Sequence, residues 1–150
     1  MKLNKKDLEL IEIAKDVVRQ NCDLYENKAM HVGCVILAKS GKVYKGINIK
    51  TSHSVCAEQV ALGQALASGE RELQTIVAVK YNPDFETFRV VSPCGLCRYM
   101  FDKMGLNIYV IVEDIKNGKV VKVKADELLP YPYKQNDLYY KGVKRGKFKL

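Results

Sequence analysis

Three thiols and one carboxylate, confined to two short stretches, constrain this chain more than anything else in it. The stretches are Val55-Cys56-Ala57-Glu58-Gln59 and Ser92-Pro93-Cys94-Gly95-Leu96-Cys97-Arg98. Each reads as the start of a helix: Thr51-Ser52-His53-Ser54 offers N-cap residues ahead of the first, and Pro93 suits the first turn of the second. Cys94 and Cys97 are spaced to share one helix face. Thiolates at helix starts are stabilised by the unpaired N–H groups and the dipole found there. A fold that brings these two helix starts together gathers Cys56, Cys94 and Cys97 around one ion. Structural zinc takes four protein ligands, whereas catalytic zinc keeps one position open for water. Three thiolates match the catalytic case, and Glu58, close behind a ligand, stands where a proton carrier beside that water is needed.

Two other readings compete. A lone Cys-x-x-Cys is more often a redox dithiol, and His53 could complete a closed four-ligand structural zinc site. Neither gives Glu58 a task. Arg98 directly follows the last thiol and offers a cation against the surplus negative charge of three thiolates on one Zn²⁺. His31 and His53 otherwise read as loop-end or surface residues. A Ser/His/Asp triad has no local support, and no glycine-rich phosphate loop is present.

The rest of the chain supplies a frame for that site. Leu10, Ile11, Ala14, Val17 and Val18 recur at helical spacing and predict a helix over 7–21, with Asn4 or Asp7 as its cap. Residues 21–30 read as a loop. Val32–Leu37 and Val43–Ile47 flank a Ser40-Gly41 turn and predict a hairpin. A helix over 56–68 is closed by Gly69, and the apolar run Thr75–Val79 reads as a central strand buried on both faces. A polar loop over 81–88 follows, then a helix to about Met104, a strand over 108–112, an Asn117-Gly118 turn, a strand over 119–123 and a short helix at 125–129 stopped by Pro130. This order predicts an α/β fold: a mixed sheet with helices on both faces, and a parallel crossover joining 76–79 to 108–112.

Five cysteines cannot all pair internally, and clustered cysteines in a reducing compartment are more often metal ligands or catalytic groups. Cys22 and Cys34, in apolar surroundings, read as buried structural thiols. No apolar run is long enough to span a bilayer, and Met1–Asp7 turns charged where a signal peptide needs an apolar stretch, so the expectation is a cytoplasmic protein with no membrane partner. The net charge of +8 is concentrated in the last residues, Lys134 to Lys149. A solvated basic tail over 134–150 is favoured over a nucleic-acid grip, since that tail carries no RNA-binding signature. Residues 1–133 are expected to form a single domain.

Cys56-Ala57-Glu58 answered by Pro93-Cys94-Gly95-Leu96-Cys97-Arg98 resembles the signature of the zinc-dependent cytidine deaminases, in which the glutamate is a general acid/base and not a ligand. A first ligand that is Cys is similar to the free-nucleoside branch. His31-Val32-Gly33, Gly46-Ile47-Asn48 and Glu127-Leu128-Leu129-Pro130 resemble the family's first strand, ribose-binding segment and C-terminal helix. The resemblance covers roughly 7–133 and implies a three-layer α/β/α fold with a mixed central sheet of about five strands. It implies Zn²⁺ held by Cys56, Cys94 and Cys97, with Glu58 as the proton shuttle. It further implies substrate contacts from Met30, Asn48, Lys50 and the Ala57 carbonyl. Three positions depart from the family pattern. Lys50 stands where a glutamate usually binds the sugar 3′-hydroxyl, Met30 where a phenylalanine packs on the ring, and Gln59 where an arginine often neutralises the thiolates, which leaves Arg98 as the main local cation. The 81–88 loop is also a few residues longer than usual. Family members with three cysteine ligands are usually homotetramers, and Tyr131 and Tyr133 lie where aromatics lent to a neighbour would be. The implied activity is hydrolytic deamination of cytidine or deoxycytidine, or else of a cytosine-bearing nucleoside antibiotic or another amino heterocycle; an RNA-binding protein and a structural zinc module rank below these.

Overall fold

The computed structural model describes residues 1–21 and 31–133. The expectations for Cys22 and Met30 and for the 134–150 tail lie outside the described residues. The first helix, α1 (Lys5–Arg19), starts on a capping box in which the Asn4 side chain accepts from the Asp7 N–H and the Asp7 carboxylate accepts from the Asn4 N–H. It buries Leu10, Ile11, Ala14, Val17 and Val18, the face that the helical spacing predicts.

Six strands form one sheet around β3 (Leu73–Asn82). The hairpin of β1 (Val32–Ala38) and β2 (Val43–Ile47) runs antiparallel, and β1 also pairs antiparallel with β3. On the other edge of β3, β5 (Tyr109–Glu113) pairs parallel at Thr75–Val77, the predicted crossover, and β6 (Val120–Lys124) continues antiparallel from β5. The sixth strand, β4 (Thr87–Val91), was not foreseen as part of the sheet. It pairs with the far half of β3, Ala78 opposite Val91 through Asn82 opposite Thr87. Ten residues make β3 long enough to hold β5 and β4 end to end along one edge. The predicted 81–88 loop is therefore a hairpin whose turn lies between Asn82 and Thr87. The polar side chains there suggested a loop because an exposed hairpin end has no apolar face to advertise itself.

The helices cover both faces. Val77 and Val79 of β3 pack with α1, whereas Ile76 and Ala78 face the cluster that holds α2 (Ala57–Ala67) and α3 (Gly95–Lys103). Glycines permit the close approach on each side. A Cβ at Gly33 would stand 2.5 Å from the Ala14 carbonyl oxygen of α1, and one at Gly46 would stand 2.5 Å from the Ala61 N of α2. Residues 126–128 form a 3₁₀ turn, shorter than the predicted helix. No helix among the described residues is long and apolar enough to cross a membrane.

Asp7 and Lys122 tie the N-terminal cap to the last strand. Asp7 is 2 % exposed, and its Oδ1 accepts from Lys122 Nζ at 2.6 Å. The Met1 amine donates to the Lys122 carbonyl at 2.8 Å, and the Lys122 N–H donates back to the Met1 carbonyl at 3.2 Å.

Candidate active site

The two helix starts do meet. Cys56 is the N-cap of α2 and Cys94 the N-cap of α3, both with extended backbone (φ −70°, ψ 148° and φ −66°, ψ 169°). Pro93 thus precedes the cap and is not in the first turn. Cys97 lies in that turn, fully buried. The Thr51–Ser54 stretch does not cap α2 either: Ile49 and Val55 pair in an isolated antiparallel bridge, which delivers the chain directly to Cys56. Gln59 completes the start of α2 by accepting the Cys56 N–H on Oε1 at 3.1 Å. The residue at the position where the resemblance leads one to look for an arginine is a cap, and it holds the backbone of Cys56.

The three thiol sulfurs lie within 4.8 Å of one another, with Cys56 Sγ and Cys94 Sγ 3.5 Å apart. Three soft thiol donors converging on one point fit Zn²⁺, and the donor set stops at three among the described residues. His53 is outside it; its side chain is exposed and its Nδ1 lies 3.3 Å from Ser52 Oγ. A closed structural zinc site is thereby disfavoured.

Burial and mutual charge set the protonation of the cluster. Burial pushes the Cys97 thiol far up, with the Glu58 carboxylate and the other two thiols adding to it. The Cys56 thiol is raised, first by partial burial and then by its contact with Cys94. Cys94 comes out lowered: partial burial pushes it up, but the Cys97 and Leu96 N–H groups and the neighbouring thiols outweigh that. Cys94 is therefore the thiol most ready to deprotonate at the mouth of the site, where it is exposed. Glu58 is 6 % exposed, and burial raises its pKa, against the pull of its own N–H and the Cys97 thiol. A carboxylate held among thiols and released from water favours carrying a proton.

Arg98 is adjacent but committed. Its Nε donates to the Pro93 carbonyl at 2.7 Å and its Nη1 to the Leu128 carbonyl at 3.4 Å. It braces the segment leading into Cys94 against the 3₁₀ turn. Asn48 is likewise built into the frame: its N–H donates to Val32 O and its Oδ1 accepts from the Val32 N–H, both at 2.9 Å. Ala57 is fully buried, with its carbonyl oxygen against Gly46 of β2. Lys50 is exposed and directly follows Ile49, within the turn that the Ile49–Val55 bridge closes. One residue that the motif did not point to is Cys34 on β1. It is fully buried in the cluster that holds Ala57 and Cys97, and its thiol is raised first by burial and then by the Glu58 charge. Its only sequence signal was an apolar strand.

Comparison with known proteins gives a consistent result. The cytidine and deoxycytidylate deaminase zinc-binding region matches residues 4–113. Blasticidin-S deaminase of Bacillus cereus is 36% identical over 140 residues, covering 89% of this chain and 96% of that protein. Cytidine deaminase of Sporosarcina psychrophila is 32% identical over 113 residues, 73% of this chain and 79% of that one. The crystal structure of cytidine deaminase from Burkholderia pseudomallei superposes with a TM-score of 0.66 at 29% identity, covering 87% of this chain and 100% of that chain.

Proposed function

We propose that this chain, which belongs to the cytidine and deoxycytidylate deaminase zinc-binding family, is a hydrolytic deaminase that replaces the ring amine of a cytosine nucleoside with a carbonyl and releases ammonia. One observation carries the reading: three thiols within 4.8 Å of each other, with a carboxylate that is 6 % exposed two residues from the first of them. Cys56, Cys94 and Cys97 would hold Zn²⁺, which when bound would supply the Lewis acidity that makes water nucleophilic near neutral pH. Glu58 takes one proton from the attacking water and passes it to ring N3, where the product keeps it, then moves the second, from the hydroxyl newly bonded to C4, to the amine, which leaves as ammonia. Its burial supports this assignment, because a carboxyl with a raised pKa holds and releases protons nearer neutrality. Burial of Cys97 and the carbonyl bonds of Arg98 keep the ligand helix in place while the proton moves.

A second substrate reading has its own support. The identity to blasticidin-S deaminase spans 96% of that protein and exceeds the identity to the cytidine deaminase of Sporosarcina psychrophila, so a cytosine-bearing antibiotic is the alternative substrate. Ammonia release from zinc-loaded protein with cytidine, deoxycytidine, their monophosphates, blasticidin S and aminopurines tests both readings. Release from a cytosine compound is expected; none from any of them would sink both.

We further read the enzyme as a cytoplasmic homotetramer. Free thiols at Cys34, Cys56, Cys94 and Cys97 suit a reducing compartment. Leu96, Tyr99, Tyr131 and Tyr133 are exposed at 57%, 43%, 101% and 70% among the described residues, an apolar set on α3 and the segment after the 3₁₀ turn that a neighbouring copy would cover. Mass photometry at assay concentration tests the assembly.

A further inference from the structure

One ion pair closes the segment that carries two of the three thiols. Arg89 on β4 donates from Nε and Nη2 to the two carboxylate oxygens of Glu113 on β5, at 2.5 and 3.1 Å. The partners are 24 residues apart in sequence, and α3 with Cys94 and Cys97 lies between them. Strand β4 runs into the ligands through Ser92 and Pro93, and β5 receives the chain after the helix. Both strands lie along one edge of β3 but pair with different parts of it, β5 with Thr75–Val77 and β4 with Ala78–Asn82. No strand ladder joins β4 to β5 among the described residues, so the side-chain pair supplies the link that a ladder would. Register gives the pair a second role. Arg89 stands directly opposite Lys80 in the β3–β4 ladder, and opposed like charges destabilise a ladder unless an anion offsets them. Glu113 is that anion, with its side chain 18% exposed against 65% for Arg89.

We infer that Arg89 and Glu113 are positioning residues for the metal: by joining the strand that enters α3 to the strand that leaves it, they preset where Cys94 and Cys97 stand for zinc. The inference rests on the zinc-site reading above. Arg98 bonds to the Pro93 and Leu128 carbonyls and so steadies the helix start, not the strands on either side of it. A bidentate arginine–carboxylate contact fixes both the distance and the orientation of its partners. With the pair broken, the two ends of the segment are free to part, and zinc binding must supply the entropy of closing them again. Apparent affinity for zinc then falls with the fraction of chains that hold all three thiols in place. A partly exposed pair adds little to global stability. Opening of one segment does not require global unfolding, so the loss is concentrated at the site.

Zinc affinity, measured by competition with a chromophoric chelator, is to be compared in wild type, Arg89→Gln, Glu113→Gln and the double variant. Lys39→Gln is the control, since it breaks an exposed ion pair of 3.1 Å to Glu72, away from the ligand helix. Each single variant at position 89 or 113 is expected to bind zinc about threefold to tenfold more weakly, with metal-free melting temperatures within roughly 4 °C of wild type. The double variant should be no weaker than the weaker single, because two residues that act as one pair can be lost only once. Lys39→Gln should bind as wild type does. Singles that bind zinc as tightly as wild type, losses that add in the double variant, an equal loss in Lys39→Gln, or a larger drop in melting temperature each overturn the inference and leave the zinc site standing. Failure of the wild type to bind zinc at all removes both.

Discussion

Gly46→Ala tests whether the sheet positions the catalytic helix. A methyl group at Gly46 would stand 2.5 Å from Ala61 N and 3.0 Å from Ala61 Cβ, with the Ala57 carbonyl oxygen also in its way. Comfortable heavy-atom contacts lie at about 3.5–4.0 Å, so α2 would have to withdraw from β2 by roughly 1 Å. Overpacking of this kind costs about 1–3 kcal/mol, which for a chain of this size lowers Tm by roughly 2–10 °C. The helix that must move begins at Cys56 and carries Glu58 in its first turn. A misplacement of about 1 Å at reacting groups costs on the order of 100-fold in rate, so kcat should fall by about that factor with zinc still bound. Gly63→Ala is the matched control. It lies in the same helix with nothing within 4 Å of an added Cβ, and it should stabilise by up to about 1 kcal/mol through helix propensity. Thermal melts, metal analysis and ammonia-release kinetics on the pair supply the comparison. If Gly46→Ala melts no lower than Gly63→Ala and keeps wild-type kcat, β2 does not determine where Cys56 and Glu58 stand.

Glu58→Gln should retain zinc and lose about 10²–10⁴-fold in kcat, measured as ammonia release; near-normal turnover would remove Glu58 from the proton path. The same substitution has a pH signature in the metal-free protein. Glu58 is raised above its ordinary value of 4.5, so the folded state holds its proton more tightly than the unfolded chain, and wild type loses stability relative to Glu58→Gln as pH rises from about 4.5 through the folded pKa. Urea melts at several pH values should show the gap opening upward in pH; a gap that opens on acidification contradicts the burial argument. Lys122→Met should destabilise by about 3–5 kcal/mol, because it leaves the Asp7 carboxylate, 2 % exposed, without its cation; denaturant unfolding measures it, and adding Asp7→Asn should recover part of the loss. Metal-stripped protein treated with a disulfide oxidant should link Cys56 to Cys94, the pair 3.5 Å apart and reachable from solvent, in preference to Cys94–Cys97, whose second thiol is fully buried; peptide mapping by mass spectrometry distinguishes the two.

Much of this protein is legible locally. The buried face of α1 follows from the spacing of Leu10, Ile11, Ala14, Val17 and Val18, and the doubly buried β3 from its unbroken apolar run. The thiol cluster and its carboxylate are visible as residue types at two helix starts, because a zinc ligand set has few chemical alternatives. Other features needed the assembled chain. Strand β4 depends on a partner that its polar flanks do not reveal, and the first cap of α2 fell to Cys56 because the Ile49–Val55 bridge held Thr51–Ser54 away from the helix. Arg98 stands beside the thiols by adjacency, but only the fold brings the Leu128 carbonyl to its guanidinium, beside the nearby carbonyl of Pro93. Asp7 reads as a cap, and only the fold brings Lys122 to it.

By itself, then, the sequence determined the chemistry: which atoms can hold a metal, which group can carry a proton, and which segments bury which face. These follow from side-chain type and from spacing within a turn or a strand. The tertiary structure alone decided what stands beside them. Cys56 and Cys94 become neighbours only because β1, β3 and the close contact at Gly46 lock two helix starts together. Where the chain enters α2 is set by the single Ile49–Val55 bridge, a pairing between segments whose residue types do not announce it.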